Sequence, residues 1–173
     1  TNGVIAIGMT FVILTGGIDL TVGSVVACTS VIVATLQKIP AVPAFLIGIA
    51  VGIVCGFING IIIHGRKMQP FIVTLSMMQI VKGLAYIISG GSPIVGVSKG
   101  MTFGSDYLGP VPMPAVIMIV LFILSYILLK HTYFGRSIYA IGGNEEAARL
   151  SGTKVGVVKV ICYVISGFCA SLC

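Results

Sequence analysis

The feature that most constrains this chain is a set of long runs without any charged residue. Ala41–Ile63 has none. At ~1.5 Å per residue a helix of that length crosses a ~30 Å hydrocarbon core with some tilt. Gly3–Thr15, Val22–Leu36, Val111–Leu129 and Val160–Cys173 are also free of charge up to their edges, and Phe71–Ser89 carries only Lys82. Between the runs stand Gly16-Gly17, the Gln37–Pro40 turn, the basic His64–Gln69 loop, the Gly/Pro/Ser-rich Gly90–Pro110 linker and a polar stretch over residues 131–159. Pro70 suits a helix first turn. The expectation is an all-α integral membrane protein, a polytopic helical bundle with about six full or partial transmembrane segments. Only 8% of residues are charged, against about 25% in soluble domains.

The chain has no initiator Met and ends inside an apolar run, so it reads as one partial transmembrane domain, residues 1–173, of a longer protein. Its formal charge of +6 does not point to nucleic acid, because the basic residues are scattered between apolar spans, where charges set topology. With residues 131–159 inside the cell, the inner side holds Arg66, Lys67, Lys130, Arg136, Arg149, Lys154 and Lys159, leaving Lys38 and Lys99 outside and Lys82 within the membrane. The opposite orientation inverts that ratio. The five Cys form no CxxC pair and all sit in apolar runs, so they read as small buried hydrophobes rather than as disulfides or metal ligands.

The polar stretch contains a short helix marked at both ends. Asn144 is a good N-cap, Glu145 and Glu146 put negative charge at the positive end of the dipole, Arg149 sits in the last turn, and Gly152 suits a left-handed stop. Leu150 and Ser151 complete it. A helix this short is marginal alone in water, so it needs a surface to dock on.

Three other constellations stand out. Gly48, Gly52, Gly56 and Gly60 make overlapping GxxxG steps on one face, which lets another helix approach closely. That helix belongs either to a second subunit or to the same bundle. Ser76, Gln79, Gly83 and Tyr86 follow helical spacing, and Lys82 lies beside Gln79. Lys82 stands about 18 Å from Pro70 and either lines a path through the bundle or snorkels to the interface. Asp19, beside Gly16, Gly17 and Gly23, either meets a solute or cation or caps the following helix, which Thr21 could also cap, and for Asp19 the cap is the favoured reading. No catalytic set, HExxH motif or phosphate loop is present, so an enzyme is not expected, and any ATP-driven work must be powered by another chain.

The run Ala6–Ser24, with Gly8-Met9-Thr10 and Ile13-Leu14-Thr15-Gly16-Gly17-Ile18-Asp19-Leu20-Thr21-Val22-Gly23-Ser24, resembles the signature of the ribose-type permeases of bacterial ABC sugar importers. Pro70-Phe71-Ile72-Val73-Thr74-Leu75 looks like a helix start of that family. Gly135-Arg136, Ile141-Gly142-Gly143-Asn144-Glu145 and Ala148-Arg149-Leu150-Ser151-Gly152 are similar to its cytoplasmic loop. Thr21, Ser76 and Thr153 depart from the usual Ser, Gly and Ile. Lys82-Gly83 falls where the family often has Arg-Gly. The resemblance implies a multi-pass subunit of about ten spans in the bacterial cytoplasmic (inner) membrane, in contact with lipid and paired with a second permease subunit as a homodimer. It further implies an ATPase docked beneath, which holds ATP and Mg, and an extracytoplasmic sugar-binding protein above. This chain would bind no cofactor itself. About one span before it and about four after it would be missing. Residues 131–159 become a coupling loop whose segment Asn144–Ser151 touches the ATPase. The rival expectation is an ion-coupled secondary transporter or channel for a small neutral solute.

Overall fold

The computed structural model describes residues 2–94, 107–108 and 111–173. The element order is α1 (Asn2–Leu14), α2 (Val22–Thr35), α3 (Ala41–Gly65), α4 (Pro70–Ile88), β1 (Tyr107–Leu108), β2 (Val111–Pro112), α5 (Met113–His131), α6 (Tyr133–Gly143), α7 (Glu145–Leu150) and α8 (Val155–Ser171). The two strands are a minimal antiparallel pair, and the other regular elements among the described residues are helices. Lipid offers no partner for backbone N–H and C=O groups, so helices that satisfy their own are the natural answer to long apolar runs. Among the described residues three helices are long and apolar enough to cross a membrane: α3, α4 and α5. The other apolar runs form the shorter helices α1, α2 and α8. Most of the Gly90–Pro110 linker, Lys99 and Asp106 included, lies outside the described residues.

The fold is built around α8, because glycine lets two other helices come close to it. On α3, Gly52, Gly56 and Gly60 face α8. A Cβ at Gly56 would stand 2.8 Å from the Tyr163 carbonyl carbon, one at Gly60 2.7 Å from the Val160 Cα, and one at Gly52 2.6 Å from the Ser171 Cβ. Gly167 of α8 returns the fit, lying against the Gly52 carbonyl and the Gly56 nitrogen. The fourth glycine, Gly48, turns to α2 and meets Val33. Three of the four thus pack inside the bundle against α8, and the sequence alone had left open whether a second subunit took that face. On α1, Gly8 meets Cys169 and Ser166. The order of the α3 contacts makes α3 antiparallel to α8, and so does that of α1, since Gly17 just beyond it meets Tyr163.

Two apolar clusters follow. One joins Phe11 and Val12 of α1 with Ile138, Ile141, Ala148, Val155, Val158, Cys162 and Tyr163. The other joins Val25 and Cys28 of α2 with Met77, Val81 and Ala85 of α4 and Ala170 of α8. By contrast α5 buries no residue, so its apolar surface is left for lipid or further protein.

The segment after α5 differs from the expectation drawn from sequence. Residues 132–143 do not form a plain loop. Thr132 accepts a hydrogen bond from the Gly135 amide at 3.2 Å and starts the amphipathic helix α6. Gly135, Ser137, Ile138 and Ile141 make its buried face.

Candidate functional site

The first candidate is the α6–α7–α8 corner. Asn144 caps α7 by accepting from the Ala147 amide at 3.0 Å. At the other end Gly152 takes a φ of +84°. The Thr153 amide donates to the Ala148 carbonyl and the Gly152 amide to the Arg149 carbonyl, each at 3.0 Å, which closes a Schellman stop. The helix is six residues long, slightly shorter than Asn144–Ser151. Ala148 is its one buried residue. Leu150 is 83% exposed, while Glu146 and Arg149 pair with each other at 2.8 Å on the outer face. An exposed i,i+3 pair contributes little to stability. Glu145 behaves differently, since its carboxylate accepts from Lys159 of α8 at 2.6 Å. The corner is therefore a short rigid helix on one apolar anchor, with an outward face of Glu146, Arg149 and Leu150.

The same end of the bundle collects the ends of other helices. The ring of His64, at the close of α3, packs where a Gly156 side chain would be. Leu14, at the end of α1, presses its carbonyl against Gly142. Arg66 and Lys67 follow α3, Lys130 closes α5 and Arg136 lies on α6. The basic residues that the charge argument placed on one side do lie at one end.

The second candidate is the α1–α2 turn. Asp19 is 1% exposed. One carboxylate oxygen accepts from the Thr21 amide at 2.9 Å and the Thr21 hydroxyl at 2.5 Å, and the other accepts from the Ser166 hydroxyl at 2.7 Å. Asn59 of α3 donates to Thr21 Oγ1 at 3.2 Å, and the Tyr163 hydroxyl donates to the Ile18 carbonyl at 3.3 Å. The favoured cap reading fails here. The N-cap of α2 is Thr21, which makes no side-chain cap bond, and Asp19 closes a turn outside the helix instead. The turn is also deep. Asn59 is about 9 Å in from the end of α3, and Ser166 about 17 Å in from the start of α8, at ~1.5 Å per residue. Non-helical backbone survives at such depth only when protein groups satisfy it; the Asp19 carboxylate satisfies the Thr21 amide and ties the turn to Ser166 of α8, while Asn59 of α3 joins through the Thr21 hydroxyl. Asn59, Tyr163 and Ser166 were missed in sequence. Asn59 offered a signal as a lone amide within the glycine face of an apolar helix.

The third candidate is the polar stripe of α4. The buried face of α4 is Val73, Thr74, Met77, Val81 and Ala85, packed on α2. Ser76, Gln79, Lys82 and Tyr86 are all exposed and look away from α2. Tyr86, at the far end of the stripe, is the exception and borders a shallow crevice with Ser30 and Ala34 of α2. The structure therefore does not bring this stripe together with Asp19.

Comparison with known proteins decides the family. The description "Branched-chain amino acid transport system / permease component" matches residues 1–173. The chain belongs to this permease family. The ribose import permease protein RbsC of Bacillus subtilis (strain 168) is 46% identical over 176 residues, covering 99% of this chain and 55% of its own length. The L-arabinose transport system permease protein AraH of Escherichia coli (strain K12) is 41% identical over 177 residues, 99% of this chain and 53% of that protein. The fructose import permease protein FruG of Bifidobacterium longum (strain NCC 2705) is 39% identical over 183 residues, with 98% and 54% covered. The chain thus spans about half the length of these curated relatives. No solved structure matches. A permease component is a transport subunit rather than an enzyme.

Proposed function

We propose that this chain is the central part of the permease subunit of an ATP-binding-cassette importer, carrying a monosaccharide or similar small polyol into a bacterial cell across the cytoplasmic membrane. Residues 131–159 are its cytoplasmic coupling loop, and α7 is the part that touches a separate ATPase. That ATPase holds the ATP and Mg²⁺. A second copy of the permease completes the pore, and an extracytoplasmic sugar-binding protein delivers the solute. The relatives named for ribose, arabinose and fructose import support the substrate class.

The observation that carries the reading is the geometry of α7. It is capped at both ends, anchored by Ala148, and presents Leu150 with the Glu146–Arg149 pair to its surroundings. An apolar tip ringed by a charge pair suits a groove with an apolar floor and polar rim. When the ATPases close, α7 moves with them, and α8 tilts with α7. Because Gly52, Gly56 and Gly60 hold α3 tightly on α8, α3 follows as part of one rigid block. This is a two-state switch biased by nucleotide. The exposed α4 stripe of Ser76, Gln79, Lys82 and Tyr86 faces the solute path, since a Lys and a Gln are costly to leave against lipid.

The test is the double reversal Glu146→Lys with Arg149→Glu. It preserves the intrahelical pair while inverting the charge pattern offered to a partner. The expected result is loss of ATPase binding and of ATP-driven uptake in a folded, membrane-inserted protein. Retention of both would refute the docking role of α7.

A further inference from the structure

A helix of six residues makes a poor lever. The glycines Gly142 and Gly143 precede α7, and Gly152 follows it with a φ of +84°. Gly142 is held against the Leu14 carbonyl, but no atom would obstruct a side chain at Gly143 or Gly152, so the glycine nearest each end of α7 is not braced by packing. A push at Leu150 or Arg149 would swing α7 on these glycines before it tilted α8, unless something ties the two helices together. Ala148 is one contact point, and a single point is a pivot.

The second point is the Lys159–Glu145 pair. Lys159 lies about 6 Å into α8 at ~1.5 Å per residue, and its ammonium reaches the Glu145 carboxylate at the first position of α7 at 2.6 Å. The Lys159 side chain is only 19% exposed, against 56% for Glu145 and 63% and 72% for the outward pair. Its stem is thus packed, and the bond is partly shielded from solvent, where charge-assisted hydrogen bonds are strongest. Ala148 and Glu145 lie one turn apart on α7, so together they fix its orientation as well as its position.

We propose that Lys159 and Glu145 are positioning residues that lock α7 to α8, so that movement of the ATPase is passed to the membrane helices rather than lost in the glycine junctions. The proposal rests on the coupling role of α7. It also removes Glu145 from the docking face, leaving that face to Glu146, Arg149 and Leu150.

The test uses the full-length permease reconstituted in proteoliposomes with its ATPase and binding protein, measuring ATPase recovered with the permease, ATP hydrolysed and sugar taken up. Lys159→Met keeps the stem and removes the charge. It is expected to leave bound ATPase unchanged and to lower sugar moved per ATP roughly tenfold, within the span of measured coupling terms. Lys159→Arg keeps the charge and reach and should transport like the parent protein. Glu145→Gln should match Lys159→Met, and the double variant should be no worse than either single, because both act through one bond. Normal transport per ATP in Lys159→Met, or additive losses in the double variant, would overturn the tether. If the Glu146→Lys/Arg149→Glu reversal keeps ATPase binding, the coupling role itself falls and the tether with it. If that reversal loses binding while Lys159→Met transports normally, only the tether falls.

Discussion

Replacing Asp19 gives a sharp test of how the bundle is held. Asp19→Ala removes the acceptor of three buried donors: the Thr21 amide, the Thr21 hydroxyl and the Ser166 hydroxyl. The amide has no alternative partner and costs about 1–3 kcal/mol when stranded. Each hydroxyl can turn to a nearby backbone carbonyl and recover part of its loss. The sum is roughly 3 kcal/mol. A change of 1 kcal/mol moves the melting temperature by about 2–4 °C in a domain of this size, so a fall of about 6–12 °C is expected. Asp19→Asn keeps an oxygen for Thr21 and offers its amide to Ser166, losing only the charge assistance, so its fall is about 2–4 °C. The chain supplies its own reporter. Cys28, Cys162 and Cys169 are free and buried, so a thiol-reactive fluorophore lights up as the full-length protein unfolds in detergent. Equal melting of the Ala and Asn variants, or an Ala variant within about 2 °C of the parent, would refute the account of the turn as a hydrogen-bonded keystone.

Three further outcomes are expected. Gly56→Val should separate α3 from α8, since even a Cβ there stands 2.8 Å from the Tyr163 carbonyl carbon, where ordinary contact begins at 3.4 Å; a loss of about 1–3 kcal/mol should appear in the same melting assay. Asn144→Ala should remove the α7 cap, costing about 1 kcal/mol locally, with faster amide exchange over residues 145–150 and weaker ATPase recovery. Lys82→Met should slow uptake while ATPase recovery stays unchanged, and normal uptake would show that the ammonium takes no part in the path.

Much of the architecture was legible because membrane helices announce themselves by what they lack. The charge-free run of Ala41–Ile63 became α3 nearly to the residue, and the caps of α7 were readable because Asn144 and Gly152 are local signals. Two parts were not legible. The helix α6 was hidden because its apolar positions, Ile138 and Ile141, stand among Tyr, Gly, Ser and Arg, and its cap at Thr132 lies directly after α5 with no intervening turn. The Asp19 turn was misread because a sequence shows that a carboxylate precedes a helix but not how deep it lies. Its depth depends on Asn59 and Ser166, distant in the chain and brought together only by the glycine contacts of α3 and α8. The same contacts answer a question that spacing alone left open, by turning Gly52, Gly56 and Gly60 inward. The α4 stripe stays exposed because what covers it is contributed by nothing within the described residues.

The central claim is that ATP hydrolysis by a partner drives a small sugar through this permease. The most direct measurement is uptake by the full-length protein in proteoliposomes with its ATPase and binding protein, across a panel of monosaccharides and with ion gradients collapsed. The account predicts uptake of a monosaccharide that requires ATP and is indifferent to the gradients. Uptake that persists without ATP and follows an ion gradient would contradict it.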